Sequence, residues 1–147
     1  MSRILLDTNV VLRWLERGAP EHAVVVEAIR RLTSRGTQLV LAPQVLIEFW
    51  VVATRPVEVN GFGWDPRTVG AAVEDLKARF DMLAEGPGLF DRWLSLVQDN
   101  GVRGKSAHDA RLAAIAIEHH VPSILTLNDG DFARFAGLSA VHPSTVK

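Results

Sequence analysis

The sequence predicts an α/β fold in which helices cover both faces of a parallel β-sheet. Short apolar segments, typical of buried strands, alternate along the chain with longer amphipathic segments, typical of helices. Proline and glycine residues stand at the ends of these segments, where chains turn. Strands that are apolar throughout and separated by helices are typical of a parallel sheet buried on both sides.

Length and composition limit the function classes. The chain has 147 residues, of which 48% are hydrophobic and 22% charged, and this predicts one domain over residues 1–147. The absence of cysteine excludes disulfides, thiolate metal sites and thiol catalysis. The formal net charge of −1 does not by itself indicate a polyanionic partner. No segment resembles a signal peptide or a membrane span of about 20 apolar residues, so we expect a cytoplasmic protein.

The first half of the chain is predicted to contain two strands and four helices. The strands are Arg3–Leu6 and residues 39–41. The helices are expected at residues 10–17, at residues 20–36, at residues 43–55 and from residue 65 onwards. Asp7 or Thr8 can cap the first helix, and proline opens the other three in the first turn, where its missing N–H costs no hydrogen bond.

The second half is predicted to alternate in the same way. Residues 80–83 can extend the fourth helix or form a short strand. Further elements are helices from residue 87 and from the cap Ser106 to about His119, strands at residues 123–127 and 139–142, and a short helix at residues 131–135. Ligands of such sheets bind beyond the carboxyl ends of the strands, so the residues that follow each strand are candidates for a site.

Three polar residues follow the first strand directly. Asp7, Thr8 and Asn9 stand between apolar triplets at residues 4–6 and 10–12. A helix cap needs only one of the three side chains. Carboxylate, hydroxyl and amide oxygens are also the ligands that hard metal ions prefer, so a cap and a metal ligand are both open interpretations of Asp7.

Glu48 lies in a helical segment that offers it no polar face. Every residue within three positions on either side of it is apolar. Because burying an unpaired carboxylate is very costly, we expect Glu48 to be protonated, paired with a base such as Arg13 or Arg55, or bound to a metal.

Asp109 lies in the first turn of the helix that follows Ser106. An acid there suits the helix dipole, which explains the residue without a site. The apolar residues at positions 112, 113, 116 and 117 nevertheless follow it at helical spacing. We therefore expect Asp109 to continue the buried stripe of this helix.

Asp131 follows another strand end and precedes a buried phenylalanine. A capping role is as good an interpretation of it as a metal ligand. Asn128 and Asp129 are neighbouring candidates for the same position.

A parallel sheet would let these acids converge at its carboxyl edge. Carboxylates that face one pocket repel each other unless cations neutralise them. Oxygen ligands select Mg²⁺ or Mn²⁺ over zinc, and such sites commonly serve phosphoryl chemistry. The predicted metal-binding and catalytic residues are Asp7, Glu48, Asp109 and Asp131.

The chain resembles PIN-domain ribonucleases, specifically the VapC-type toxins of bacterial toxin–antitoxin pairs. Four segments carry the resemblance, in the order of the family and across nearly the whole chain: LLDTNVVL, LIEFWVVATRP, HDARLAAIA and LTLNDGDFARF.

The resemblance implies a PIN-like (Rossmann-like) α/β/α sandwich and Mg²⁺- or Mn²⁺-dependent endonuclease activity on RNA. It also implies a cognate VapB-type antitoxin and a homodimer. The four acids named above match the acidic quartet of the family, and Thr8, Asn9 and Thr126 match its supporting polar positions. Many members carry an acid where Asn128 stands, so direct and water-mediated roles of Asp131 both stay open, with Asn128 as a supporting polar residue.

Other residues near these motifs have open roles. Arg103 and Lys105 precede Asp109 in a glycine-bounded loop and are either phosphate contacts or ordinary loop charges. Phe62 and Trp64 lie in a glycine-rich loop, where they could stack bases, contact an antitoxin or fold back on the core. The tryptophans on apolar helix faces, at positions 14, 50 and 93, are expected in the core.

Two other functions fit part of the pattern. A haloacid-dehalogenase-like phosphatase also places an aspartate after its first strand, but it needs a second acid two positions on, where this chain has Asn9. A non-catalytic RNA- or protein-binding module of the same fold would keep the acids for structure alone. Clustered like charges favour the catalytic interpretation, because a scaffold gains little from them.

Overall fold

Five strands form one parallel sheet in the order β3-β2-β1-β4-β5 in the computed structural model, which describes residues 2–147. The strands are β1 Arg3–Leu6, β2 Gln38–Leu41, β3 Asp81–Met82, β4 Ser123–Leu125 and β5 Ser139–Val141. Every neighbouring pair runs in parallel. The α/β fold with a parallel sheet is therefore confirmed.

The helices occur in the predicted order. They are α1 Thr8–Leu15, α2 His22–Ser34, α3 Pro43–Thr54, α4 Pro66–Arg79, α5 Leu89–Asp99 and α6 Ser106–Glu118. Short 3-10 turns lie at Val57–Val59, Asp129–Phe132 and Pro143–Thr145. Among the described residues, no helix combines the length and the apolar character that a membrane crossing requires.

Helix starts are set by different caps. Asp7 caps α1 by accepting a hydrogen bond from the backbone N–H of Thr8, so α1 begins two residues earlier than predicted. Asp65 caps α4 by accepting a hydrogen bond from the backbone N–H of Thr68, and α4 begins where it was predicted. The predicted cap at Ser106 is wrong: Ser106 is the first residue of α6, and Lys105 before it makes no capping hydrogen bond.

Three elements in the second half of the chain differ in detail from the prediction or decide between its alternatives. Residues 80–83 take the strand alternative, as β3. β4 ends at Leu125, two residues earlier than predicted. Beyond it, the N–H of Leu127 donates to the Asn9 side chain at 3.1 Å and not to the backbone of β1, so the ladder between the two strands does not continue. The predicted helix at residues 131–135 is replaced by the 3-10 turn Asp129–Phe132.

The order of the strands reverses at β1. The chain moves outward from β1 to β2 and β3, then returns to β4 on the other side of β1. Right-handed crossovers therefore place α1–α4 on one face of the sheet and α5–α6 on the other. The helix contacts agree, since α3 packs on α1 and α4, and α5 packs on α6.

The sheet supplies the centre of the core. Several side chains of the three central strands have no exposed surface: Leu5, Leu6, Leu41, Ile124 and Leu125. Trp50, expected in the core, is instead 40% exposed on α3 together with Ile47 and Val51. The reversal of strand order at β1 opens a crevice beyond its carboxyl end, and the chain places Asp7 there.

Candidate active site

Asp7 is buried at the carboxyl end of β1, where three groups hold its carboxylate. Its Oδ1 accepts from the N–H of Thr8 at 2.7 Å. Its Oδ2 accepts from the Thr126 hydroxyl at 2.8 Å and from the Asn9 amide at 3.2 Å. A carboxylate has about four acceptor positions, so these bonds fix its orientation and leave capacity for a further ligand.

Asn9 and Thr126 join the ends of β1 and β4. The Asn9 amide donates to the Thr126 hydroxyl at 3.3 Å, and its Oδ1 accepts from the N–H of Leu127. The Thr126 hydroxyl also accepts from the N–H of Asn128 at 3.0 Å. The two side chains expected to support the site therefore hold two neighbouring strands in register around Asp7.

Thr8 and Asn128, the other two expected supporting residues, differ in their environment. Thr8 is buried, and its hydroxyl oxygen has no hydrogen-bond partner within residues 2–147. Asn128 is exposed and contributes its backbone N–H to the network. A buried hydroxyl without a partner is costly.

Glu48 is half-buried on α3, and its partner is an amide rather than an arginine. Its Oε1 accepts from the Gln44 amide at 3.0 Å. The expected alternative of an ion pair is wrong: Arg13 pairs with Glu16, and Arg55 donates to the carbonyl of Asn60. Glu48 is therefore partly buried, as its apolar neighbours in the sequence indicated, and no basic side chain is paired with it within residues 2–147.

Asp109 and Asp131 approach Asp7 from two other elements. Asp109 is half-buried in the first turn of α6. Asp131 is exposed in the 3-10 turn that follows β4. Charge repulsion from Asp131 raises the pKa of both other carboxyls, so these three side chains share one region.

The electrostatics join all four acids. Burial is the main cause that raises the pKa of Asp7 from 3.8 to about 6, and repulsion by Glu48 and Asp131 adds to it. Its hydrogen bonds oppose this rise. Burial likewise raises the pKa of Asp109 to about 6, with repulsion by Asp7, Asp131 and Glu48.

None of the four acids forms an ion pair with a Lys, Arg or His side chain within residues 2–147. Their mutual repulsion is therefore offset only in part, by the charge of His108, which lowers the pKa of Asp109. A divalent cation would supply the missing charge, and its preferred oxygen ligands are the ones present. The donor chemistry fits such an ion.

The side-chain positions set a limit on how an ion could bind. Across the described part of the chain, no three acidic or histidine side chains are close enough to hold one ion together. Mg²⁺ often binds through only one or two carboxylates and keeps several waters. The arrangement therefore suits an ion held partly through water, or one that draws the exposed Asp131 inward.

Gln44 and Arg111 are functional candidates that the sequence interpretation missed. Gln44 is buried, and its amide donates both to Glu48 and to the carbonyl of His108 at 2.9 Å. The Arg111 guanidinium donates to the Gln44 Oε1 at 3.1 Å and pairs with Glu85 at 3.0 Å. The available signal was a glutamine one helical turn before Glu48 on an otherwise apolar helix.

The basic loop and the aromatic loop differ in their surroundings. Arg103 and Lys105 are exposed, and their side chains make no hydrogen bond or ion pair with any described residue. Phe62 and Trp64 contact each other with ring centroids 4.9 Å apart and pack against the core. Of the three roles open for that aromatic pair, the core role is the one that the contacts support.

A family model supplies an independent comparison. The model of the PIN domain matches residues 4–138. No curated protein matches the chain significantly.

Solved structures supply a second comparison. VapBC2 from Rickettsia felis has a TM-score of 0.69 at 14% identity, covering 95% of this chain and 98% of that one. VapBC-1 from nontypeable Haemophilus influenzae has a TM-score of 0.70 at 18% identity, covering 97% and 99%. VapC20 from Mycobacterium tuberculosis, a toxin that cleaves the sarcin–ricin loop, has a TM-score of 0.59 at 18% identity, covering 82% and 86%. At these identities the likeness establishes the fold.

Replacing Asp7 by asparagine is expected to stabilise the metal-free protein above pH 6. The folded state holds a proton on Asp7 up to about pH 6, whereas the ordinary carboxyl pKa is 3.8. Folding stability of the wild type therefore decreases as the pH rises through this interval. Asparagine caps a helix equally well and does not ionise, so we expect a gain of about 1–3 kcal/mol above pH 6.

Urea unfolding of both proteins with a chelator, from about pH 4 to about pH 8, measures this difference. Asp99→Asn is the matched control, because Asp99 is an exposed acid at the end of α5. A stability difference between Asp7→Asn and wild type that does not change with pH would contradict the pKa assignment.

Proposed function

We propose that this chain, which belongs to the PIN domain family, is a metal-dependent endoribonuclease and the toxin of a toxin–antitoxin pair. The proposed catalytic and metal-binding residues are Asp7, Glu48, Asp109 and Asp131. One observation carries the proposal: beyond the carboxyl end of β1, Glu48 and Asp131 raise the pKa of both Asp7 and Asp109, and none of the four acids forms an ion pair within residues 2–147.

The proposed cofactor is Mg²⁺ or Mn²⁺, because the site offers oxygen ligands and the chain contains no cysteine. When bound, such an ion would neutralise the acids, acidify a water and stabilise charge on the phosphate that is being cleaved.

The chain's own residues prepare the site for this ion. Thr126, Asn9 and the N–H of Thr8 hold Asp7 in one orientation, so the carboxylate needs little reorganisation to bind. The Gln44 amide donates to Oε1 of Glu48 and so orients this carboxylate. The other carboxylate oxygen of Glu48 has no protein donor within residues 2–147. Asp109 and the exposed Asp131 contribute further negative charge near Asp7.

RNA is the proposed substrate. The four sequence segments that resemble VapC-type toxins support it, as does the similarity of the fold to VapC20, a toxin that cleaves the sarcin–ricin loop. Arg103 and Lys105 are proposed to hold phosphates beside the cleaved bond, since neither is paired within the described residues. An RNA substrate would place the activity in the cytoplasm.

A VapB-type antitoxin is the proposed partner, and a homodimer the proposed assembly. Two of the similar structures are named VapBC2 and VapBC-1, and a third, from Klebsiella pneumoniae, is named a toxin–antitoxin complex. The exposed apolar side chains on α3 support contact with another protein chain: Ile47 is 64% exposed, Val51 53% and Trp50 40%.

Removing one carboxylate is expected to abolish RNA cleavage. Purified protein should cleave single-stranded RNA with Mg²⁺ or Mn²⁺ and lose this activity on chelation. Asp7→Asn and Glu48→Gln should each lower kcat at least about a hundredfold, because each removes a charge that binds the ion. Gel analysis of a labelled RNA measures the rate, with Glu58→Gln, an exposed acid on the Val57–Val59 turn, as the control.

Undiminished cleavage by either variant, or in the presence of chelator, would disprove the metal-nuclease proposal. Turnover of a small phosphomonoester without RNA cleavage would favour the phosphatase alternative. Binding of RNA without binding of Mg²⁺ or Mn²⁺ would favour a non-catalytic module.

Gln44→Ala is expected to weaken metal binding without removing any proposed ligand. Its amide orients Glu48, and loss of such a supporting hydrogen bond commonly costs about tenfold to a hundredfold in affinity. Titration calorimetry with Mn²⁺ compares Gln44→Ala with Gln98→Ala, which removes an exposed glutamine from α5. Equal dissociation constants for the two variants would show that Glu48 does not need Gln44.

Expression of the chain alone in bacteria is expected to arrest growth. Co-expression of the short protein encoded next to its gene should restore growth and co-purify with the chain. Asp7→Asn should be harmless by itself and still bind that protein, which separates toxicity from partner binding. Growth arrest that Asp7→Asn does not relieve would contradict the role of a nuclease toxin.

A further inference from the structure

A partly apolar groove lies beside the acids, between α5 and α6. Its cavity volume is about 470 Å³, within the range of about 300–1,000 Å³ of small-molecule sites. We call it the α5–α6 groove, and the side chains that define it are Glu85, Leu89, Phe90, Trp93, His108 and Arg111.

Two aromatic rings form its apolar part. Phe90 is 65% exposed, and its ring centroid lies 5.4 Å from that of Trp93 with the rings tilted by 42°. The Trp93 indole N–H donates to the carbonyl of Ala107 at 2.8 Å, which fixes the ring relative to α6. A planar ligand can therefore stack on either of two aromatic rings, the exposed Phe90 or the fixed Trp93.

The other end of the groove is joined to the proposed catalytic acids. Arg111 pairs with Glu85 at 3.0 Å within the groove and donates to Gln44 at 3.1 Å outside it. Gln44 in turn donates to Glu48 at 3.0 Å. Two hydrogen bonds therefore connect the groove to a proposed metal ligand.

The charges around the groove suit an anionic strand. Lys105, His108 and Arg111 follow one another along the start of α6, and the last two line the groove. Glu85 is the acidic residue of the lining, and it is already paired with Arg111. Lys105 and His108, which form no ion pair within residues 2–147, can contact backbone phosphates, while the aromatic rings remain available to a base.

We propose that the α5–α6 groove binds one unpaired nucleobase of the RNA strand, next to the phosphate to be cleaved. This inference rests on the proposed function, because it assigns a subsite to the same substrate. The base stacks on Phe90 and Trp93, as single-stranded RNA bases stack on aromatic side chains. The Glu85 carboxylate accepts hydrogen bonds from an exocyclic amino group, which favours bases that carry one.

Nucleotide binding can be measured without catalysis. The probes are AMP, GMP, CMP and UMP, titrated in excess chelator while tryptophan fluorescence is recorded. A base that stacks in the groove should quench Trp93, so Trp93→Phe should lose the quenching. Trp64→Phe, which alters the other aromatic pair, should retain it, and ribose 5-phosphate, which has no base, should cause none.

Phe90→Ala tests the subsite directly. Because Phe90 is mostly exposed, the variant should fold, as circular dichroism can check. Loss of one stacking ring should raise the dissociation constant of the bound nucleotide roughly fivefold to a hundredfold. In cleavage of single-stranded RNA, KM and the choice of cleavage site should change more than kcat.

The outcomes separate this inference from the proposed function. Nucleotide binding in chelator without RNA cleavage in metal would retain the subsite and overturn the nuclease. RNA cleavage with unchanged KM and site preference in Phe90→Ala, and quenching that persists in Trp93→Phe, would overturn the subsite alone. If Phe90→Ala instead changes the mass of the protein in solution or abolishes partner binding, while nucleotide binding is unchanged, the groove is a protein contact and the subsite is wrong.

Discussion

Burial of the Asp7 carboxylate between two parallel strands is the interaction on which the rest of the site depends. Its hydrogen bonds to Thr126 and Asn9 join the ends of β1 and β4, where the order of the strands reverses. These bonds only partly offset the loss of hydration, since the pKa of the carboxyl still rises to about 6. The fold thus holds a group in place that is unfavourable there without a positive charge.

The neighbouring acids raise the free energy of the ionised Asp7 carboxylate further, and they also strengthen the attraction of the site for a cation. Glu48, Asp109 and Asp131 come from α3, α6 and the turn after β4, so they meet only in the folded chain. Arginine is abundant in the sequence, yet within residues 2–147 none of the ion pairs involves these acids. A site that keeps its charge unneutralised is prepared to bind a cation tightly, at the expense of stability.

Beside this site, the polar contacts of Gln44 and Arg111 connect the acids to the α5–α6 groove. Gln44 donates to Glu48 and to the backbone of α6, and Arg111 fixes the orientation of the Gln44 amide. One chain of hydrogen bonds therefore spans the proposed metal ligands and the proposed base subsite. Binding of a base in the groove and placement of Glu48 are physically linked, because they share these two side chains.

The sequence alone determined the alternation of strands and helices, because apolar periodicity is a local pattern. It also identified the candidate acids, because an acid after a strand, or on a helix without a polar face, is visible in a short stretch of sequence. It could not decide whether Glu48 pairs with an arginine, nor find the partners of Gln44, because these contacts join residues as much as 67 positions apart. It also misplaced Trp50, since an apolar helix face can meet either the core or solvent. Only tertiary structure decided these points, because strand order and helix packing set which distant side chains meet.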